Sequence, residues 1–416
     1  MSCEANQAVR PDAPPSFVHL RRLTDDTGML EHAQGRIPRR KEGYTADDNA
    51  RALWTVTEWL NLDGYGEAKM PESDRTELMR LADTYIAYLL WSQHDNGWIH
   101  NNIAYDRTPE HEERSHDCQG RTIWACADAW VRLAQPARAT ARFLIERAMP
   151  TLGHIDSHRG QAFAMAACAH LLDASDCGVV SLPSDVRSEL QHHMLRFEAV
   201  LTRAFDHFDD GRWRWFEPAM TYGNGVLPWA MLRTYRYTRR SGTLAIGLES
   251  LVFLLERMTA EGGWLRPIGN ESWCTHDRSS RWDQQPLEMF KLALALEEAA
   301  LIAQPPSRGL GEALVGASSA ATGIEGNPAH AHPPGNGGEK GPRENGFYPL
   351  GDASTHYRAI RDLCRDWYYG NNDLRAPLVD PSDGSCCDGL TRYGPNLNCG
   401  AEATISYLMT EALCRR

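Results

Sequence analysis

From residue 48 onward, apolar residues recur at three- and four-residue spacing. The window 48–61 carries Leu53, Val56, Thr57 and Leu60, and 75–91 repeats the pattern with Leu78, Leu81, Ala82, Tyr85 and Leu89. That spacing is the period of an amphipathic helix. It predicts further helices over 118–133, 136–149, 160–173, 184–205, 225–239, 243–258, 285–303, 353–369 and 400–414. No run alternates convincingly, so strands are expected to be few and short and the fold class all-α.

The predicted helices are of two kinds. One kind opens on a dense polar cluster: Asp47-Asp48-Asn49, Asp117-Cys118-Gln119-Gly120-Arg121, His158-Arg159-Gly160-Gln161, Thr221-Tyr222-Gly223-Asn224, Asp283-Gln284-Gln285-Pro286 and Gly400-Ala401-Glu402. Behind each cluster the helix is small and apolar, as at Ala125, Ala127 and Ala129, which marks burial on most sides. The other kind is amphipathic and carries surface charge, such as Glu77, Arg80 and Asp83. The two kinds alternate, giving six inner helices and five outer ones, with 17–30 available to complete the outer ring. This is the pattern of an (α/α)6 toroid, read as one domain over 1–416. The polar helix starts would then converge at one mouth. A helix cap accounts for one Asp, Ser or Asn per start. Clusters of two to four polar residues, Arg and Gln among them, point to a shared site.

One segment breaks the pattern. The 41 residues of 305–345 include nine Gly and six Pro, which predicts a disordered insertion after the fifth inner helix. Elsewhere the composition is that of a globular protein, with 42% apolar and 24% charged residues. A net charge of −12 without a basic run argues against nucleic acid or a membrane surface as partner. No apolar stretch is long enough to span a bilayer. Residues 1–17 lack the charged start and apolar core of a secretory signal, so a cytoplasmic location is expected. Eleven cysteines without a CxxC pair are expected to be reduced, mostly buried thiols. The 16 histidines show no HxxxH or HxH arrangement with a matching carboxylate, and no phosphate-binding loop or dinucleotide fingerprint occurs. No metal and no cofactor are therefore expected.

The polar clusters suggest carbohydrate chemistry. Glycosidic cleavage needs one carboxylic acid to protonate the leaving oxygen and a carboxylate to activate water or attack the anomeric carbon. The candidates are Asp48, Asp117, Glu217, Asp283 and Glu402. A helix N-terminus favours an ionised carboxylate, which suits Asp48 or Asp283 as base. Glu217 follows Trp213, Trp215 and Phe216, an apolar setting expected to raise its pKa and make it the acid. Asp47, Asn49, Arg51, Gln119, Arg121, Tyr222, Asn224, Gln284, Gln285 and Asn396 could bind hydroxyls. Three loops share a glycine-tryptophan theme, placing Trp98, Trp213 and Trp264 as flat platforms for sugar rings.

Several strings carry a wider resemblance. They are Thr24-Asp25-Asp26-Thr27-Gly28-Met29-Leu30-Glu31-His32-Ala33, Glu42-Gly43-Tyr44-Thr45-Ala46-Asp47-Asp48-Asn49-Ala50-Arg51-Ala52-Leu53, Asp117-Cys118-Gln119-Gly120-Arg121, Trp215-Phe216-Glu217, Asp283-Gln284-Gln285-Pro286 and Asp388-Gly389-Leu390. With them the chain resembles a bacterial family of (α/α)-toroid proteins described as glycosyltransferases or glycosidases, some of them fused to or encoded beside glycosyltransferases. The likeness covers nearly the whole chain outside 305–345. It departs at Gly223-Asn224-Gly225, where the family tends to carry Asp-Asn-Ala, and at Cys399-Gly400, where it carries Gln-Gly. The resemblance implies an oligosaccharide substrate, mannosides included, and a glycosyltransferase as partner. The expected activity is that of a glycoside hydrolase. The alternatives are a sugar epimerase or isomerase using His154, His158 or His276, a phosphorylase holding phosphate on Arg121 or Arg159, and a non-catalytic glycan-binding partner of a glycosyltransferase.

Overall fold

The computed structural model describes residues 14–62, 70–304 and 353–416. The Gly/Pro-rich stretch 305–345 lies outside the described residues. The chain forms helices α1 (Val18–Arg22), α2 (Ala46–Leu60), α3 (Glu72–Ser92), α4 (His116–Arg132), α5 (Ala137–Ala148) and α6 (His158–Asp176). There follow α7 (Ser184–Phe208), α8 (Val226–Thr238), α9 (Ser241–Met258), α10 (Pro286–Ala303), α11 (Ala353–Tyr368) and α12 (Ala401–Leu413). Each even-numbered helix packs on the next even-numbered one, and α12 packs back on α2, so six inner helices close a ring. Outer helices α3, α5, α7, α9 and α11 each pack on the inner helix before them, and short α1 lies against α12. This is the (α/α)6 toroid that the alternation predicts.

Burial separates the two kinds of helix. Fourteen of the 15 residues of α2 are buried, against six of the 25 in α7. The strands among the described residues are two or three residues long and pair only as antiparallel ribbons. They are β1 (Ala33–Gln34) with β2 (Ile37–Pro38), β3 (Tyr44–Thr45) with β4 (Asn102–Ile103), and β5 (Ala219–Met220) with β6 (Cys274–Thr275). β7 (Val379–Asp380) pairs with β8 (Ser385–Cys386), and β9 (Gly389–Thr391) with β10 (Gly394–Asn396).

Aromatic rings from five inner helices fill the bore. Trp54 of α2 lies 5.4 Å from Trp124 of α4, 5.8 Å from Trp229 of α8 and 5.3 Å from Phe290 of α10, between ring centroids. Phe163 of α6 joins the cluster, 5.9 Å from Trp229. At the C-terminal ends of the inner helices, buried acids are neutralised by arginines. Glu58 is bound by Arg132 at 2.7 Å and by Arg416, and Glu298 by Arg236 at 2.9 Å. Cations there also complement the negative ends of the helix dipoles. The bore is thus filled with side chains, and the polar clusters are left to the N-terminal end of the ring.

Two glycines set the approach of α4 to α6 at that mouth. A Cβ on Gly120 would sit 2.2 Å from the Gly160 carbonyl oxygen, and one on Gly160 would sit 2.3 Å from that of His116. Backbone cannot swing aside as a side-chain tip can. Gly160→Ala should therefore lower stability by roughly 1–3 kcal/mol or more through overpacking, read as a shift in the urea midpoint. A neutral result would mean that α4 and α6 do not touch here.

Candidate active site at the toroid mouth

The first turns of the inner helices are tied to one another by side-chain bonds. Thr45, Ser115 and Ser157 cap α2, α4 and α6, accepting from the backbone N–H three residues on at 3.1 Å in each case. The acids beside them are therefore not needed as caps and reach sideways. Asp47 of α2 pairs with Arg121 of α4. Asp117 of α4 accepts from the Ser157 hydroxyl and, at 3.2 Å, from the Gly160 N–H of α6. Arg159 of α6 donates to the Tyr222 carbonyl at 2.5 Å and the Thr221 hydroxyl at 3.0 Å, just ahead of α8. Asn224 donates to Glu288 of α10 through its amide at 2.9 Å and its backbone N–H at 3.2 Å. Gln284 and Leu390 exchange backbone bonds before α10, and Asp388 accepts from the Gly400 N–H at 2.6 Å at the start of α12. Arg51 closes the circle, bonding Asp48 at 2.8 Å and Glu402 at 3.0 Å. All six starts lie at one end and form one polar rim.

Two nitrogens of the planar Arg51 guanidinium hold Asp48 and Glu402, so these two carboxylates lie no more than roughly 8 Å apart, oxygen to oxygen. Asp48 is buried, whereas Glu402 is partly exposed. Glu31, from the loop after α1, joins them: its backbone oxygen accepts from Ala401 N–H at 2.9 Å. Burial, and then the charge of Asp48, push the Glu31 carboxyl up to about 7. Burial would raise Asp47 too, but Arg121 and Arg51 outweigh it and hold Asp47 below the usual carboxylate range. Burial raises Asp48 and Asp388. The same rim therefore carries a carboxyl that keeps its proton near neutrality and one that has lost it.

Lys291, one turn into α10, marks the floor. It is 1% exposed, and its Nζ has no hydrogen-bond partner. The amine stands 3.8 Å from the centroid of Phe290, 4.9 Å from Trp54 and 5.2 Å from Phe163. Burial, reinforced by the charges of Arg121 and Arg51, pushes its pKa well down.

Several expectations need correction. Glu217 is not an apolar acid: burial alone would raise it, but His158 at 3.3 Å and Arg159 at 3.0 Å hold it below its usual value. Asp48 is not a base made acidic by its helix, because burial wins over the dipole. Trp98 and Trp213 are 5% and 3% exposed and offer no open platform. The glycines before them do make equivalent turns, with φ of 84° at Gly97, 83° at Gly211 and 85° at Gly263. The Trp213 indole donates to the Glu217 carbonyl, and the Trp264 indole to Asp373.

Asn49, Gln119, Asn224 and Gln284 are buried and spend their amides on the protein. Asn49 bonds the backbone of Met29 and Thr45, Gln119 that of Gly97 and Ile99, and Gln284 binds Asp373 and the Trp367 indole. They hold the loops that carry the rim. Arg51 and Arg121 bind acids of the rim, as the helical i,i+4 pairing also would, but not the acids four residues before them. Asp283 adopts a left-handed φ of 59° against Gly389, Gln285 occupies the cap position of α10, and Asn396 caps the turn to Asn398. Tyr222 is 39% exposed and bonds Asp117. Gly223, at the departure from the family pattern, has φ of 58° and donates its N–H to Glu288. Glu31 and Lys291 were not among the sequence candidates. Among the described residues, no group of three or more His, Cys, Asp or Glu is arranged to hold a metal ion.

No family model and no curated protein matches the chain. Solved structures do. A sugar epimerase from a ruminal bacterium superposes with a TM-score of 0.58 at 10% identity, covering 96% of this chain and 95% of that one. D-mannose isomerase gives 0.56 at 12% identity, with 96% and 94% covered. An inactive variant of the GH76 alpha-1,6-mannanase of Salegentibacter sp. HEL1_6, with two consecutive aspartates replaced by asparagine and alpha-1,6-mannotriose bound, gives 0.54 at 9% identity, with 96% of both chains covered. At these identities the likeness establishes the fold, an (α/α)6 toroid shared with these sugar-acting enzymes.

Proposed function

We propose that the protein is a glycoside hydrolase that cleaves an oligosaccharide, mannosides foremost, at the N-terminal mouth of the toroid. One observation carries the reading: a carboxyl pushed up to about 7 and a carboxylate held low meet on the same rim. Two carboxyl groups driven apart in this way divide the roles of acid and base. Glu31 protonates the leaving oxygen. Asp47, ionised between Arg121 and Arg51, activates water or attacks the anomeric carbon. Asp48 and Glu402, tied by Arg51, set the charge around them. The mannanase whose consecutive aspartates were replaced supports the assignment, since Asp47-Asp48 is a consecutive pair at this mouth.

A second reading, sugar epimerisation or isomerisation, is favoured by His158. Its Nδ1 lies 3.3 Å from Glu217, at the start of α6 on the same rim. His276, by contrast, faces Asp210 and Asp277 on the α7–α8 side, outside the circuit of rim bonds. Incubation with a panel of manno- and gluco-oligosaccharides, with and without phosphate, separates the readings. The hydrolase reading expects shorter sugars without phosphate; a product of unchanged length, or none at all, would count against it.

A further inference from the structure

We propose that Cys387 and Cys399 form an oxidation site: a reversible disulfide that closes the base of the β9–β10 hairpin at the mouth. The backbone brings them together at the base of the hairpin. Within it Gly389 stands opposite Asn396; one residue further the pairing slips, and the Asp388 N–H donates to the Asn398 carbonyl at 2.7 Å, which leaves Cys387 and Cys399 directly beyond that bond. Their own N–H groups turn away, to the Leu378 and Gly35 carbonyls, as in a non-hydrogen-bonded antiparallel pair. Such pairs bring Cα atoms to about 4.5 Å and side chains closest together, within the span a disulfide bridges.

The surroundings of the two thiols give them different parts. The Cys399 thiol, which also reaches the Leu397 carbonyl at 3.6 Å, holds Cys387 below its usual pKa, with Arg36 adding to the effect. Cys387 is half-buried and reachable, whereas Cys399 is 4% exposed. Neighbouring Cys386 is buried, with its thiol turned to the Cys387 carbonyl. Cys387 is thus the attacking thiolate and Cys399 the resolving one. With a peroxide as oxidant, the Cys387 sulfur takes one oxygen, the O–O bond breaks and water leaves. The Cys399 sulfur then displaces the new hydroxyl as a second water. Two thiols are oxidised and one peroxide is reduced.

The bond would act on the rim. The hairpin carries Asp388, which holds the Gly400 N–H just ahead of α12, and Leu390, which pairs with Gln284 ahead of α10. It is the strap between two of the six helix starts, and a bond at its base closes the strap on itself.

The test treats the full chain with hydrogen peroxide, blocks remaining thiols with iodoacetamide and measures intact mass, peptides and melting. We expect two of the eleven thiols to disappear, one crosslinked pair of peptides containing Cys387 and Cys399, a melting temperature higher by several degrees, and reversal by dithiothreitol. Cys387→Ser and Cys399→Ser should each abolish the crosslink, and Cys386→Ser should not. A crosslink between any other pair, oxidation of Cys387 without a bond, or a bond that leaves melting unchanged would overturn the proposal.

Discussion

Glu31→Gln should lower kcat by about 10²–10⁴, the usual worth of a general acid, on whichever oligosaccharide the protein cleaves. Wild-type activity should fall as pH rises through about 7, because only the protonated carboxyl can donate, and the variant should lack that fall. Asp47→Asn should lose as much, but its effect belongs to the acid limb, where Arg121 and Arg51 otherwise keep Asp47 ionised. The stability effect of Glu31→Gln runs the other way. A carboxyl whose folded pKa lies above its unfolded value stabilises the fold below the unfolded pKa. That contribution fades as pH rises through the folded pKa. At pH 8 the glutamine variant should therefore melt no lower than wild type. Loss of turnover with an unchanged pH profile would remove Glu31 from the acid role.

The second large effect is a contrast between two buried basic side chains at the mouth. Arg51→Met removes the partner of Asp48, which is 5% exposed at its side chain, and breaking such a pair typically costs about 3–5 kcal/mol. Lys291→Met should do the opposite and stabilise by roughly 1–4 kcal/mol at neutral pH, since the amine lies among Trp54, Phe163 and Phe290 with no acceptor. The folded pKa of Lys291 is depressed, so the fold is penalised wherever the unfolded chain would hold the proton. The advantage of methionine should grow as pH falls from about 10 towards that depressed value and then level off. Urea midpoints at pH 6 and pH 9 read both variants. A destabilised Lys291→Met would mean that the amine has a polar partner inside the toroid.

The helices and their inner and outer ranks were legible because burial imprints itself on every turn. A helix buried all round must be small and apolar throughout, as α6 is, and one that faces water must be striped, as α7 is. The polar starts were legible because two to four polar residues stand together ahead of each apolar run; single buried acids further along, such as Glu58 and Glu298, are neutralised by arginines from elsewhere in the chain. The chemistry of individual groups was less so. Glu217 has apolar neighbours in sequence, but Trp215 and Phe216 turn into the core. The groups that set its charge, His158 and Arg159, come from a helix some 60 residues earlier. Glu31 sits in a loop without periodicity, and only the fold brings it to α12. Trp98 and Trp213 follow turns that suit either an outward or an inward ring; packing decided for the core.

The most direct test of a hydrolytic rim follows the label in a single reaction. Oligosaccharide is incubated with wild type and with the Asp47→Asn, Asp48→Asn double variant in deuterated, oxygen-18 water, and products are analysed by mass spectrometry and NMR. Wild type should yield shorter chains carrying one oxygen-18 at the new reducing end, with no deuterium on carbon, and the double variant almost none. Chains of unchanged length with deuterium on the carbon next to the anomeric centre would rule out hydrolysis and assign the mouth to epimerisation.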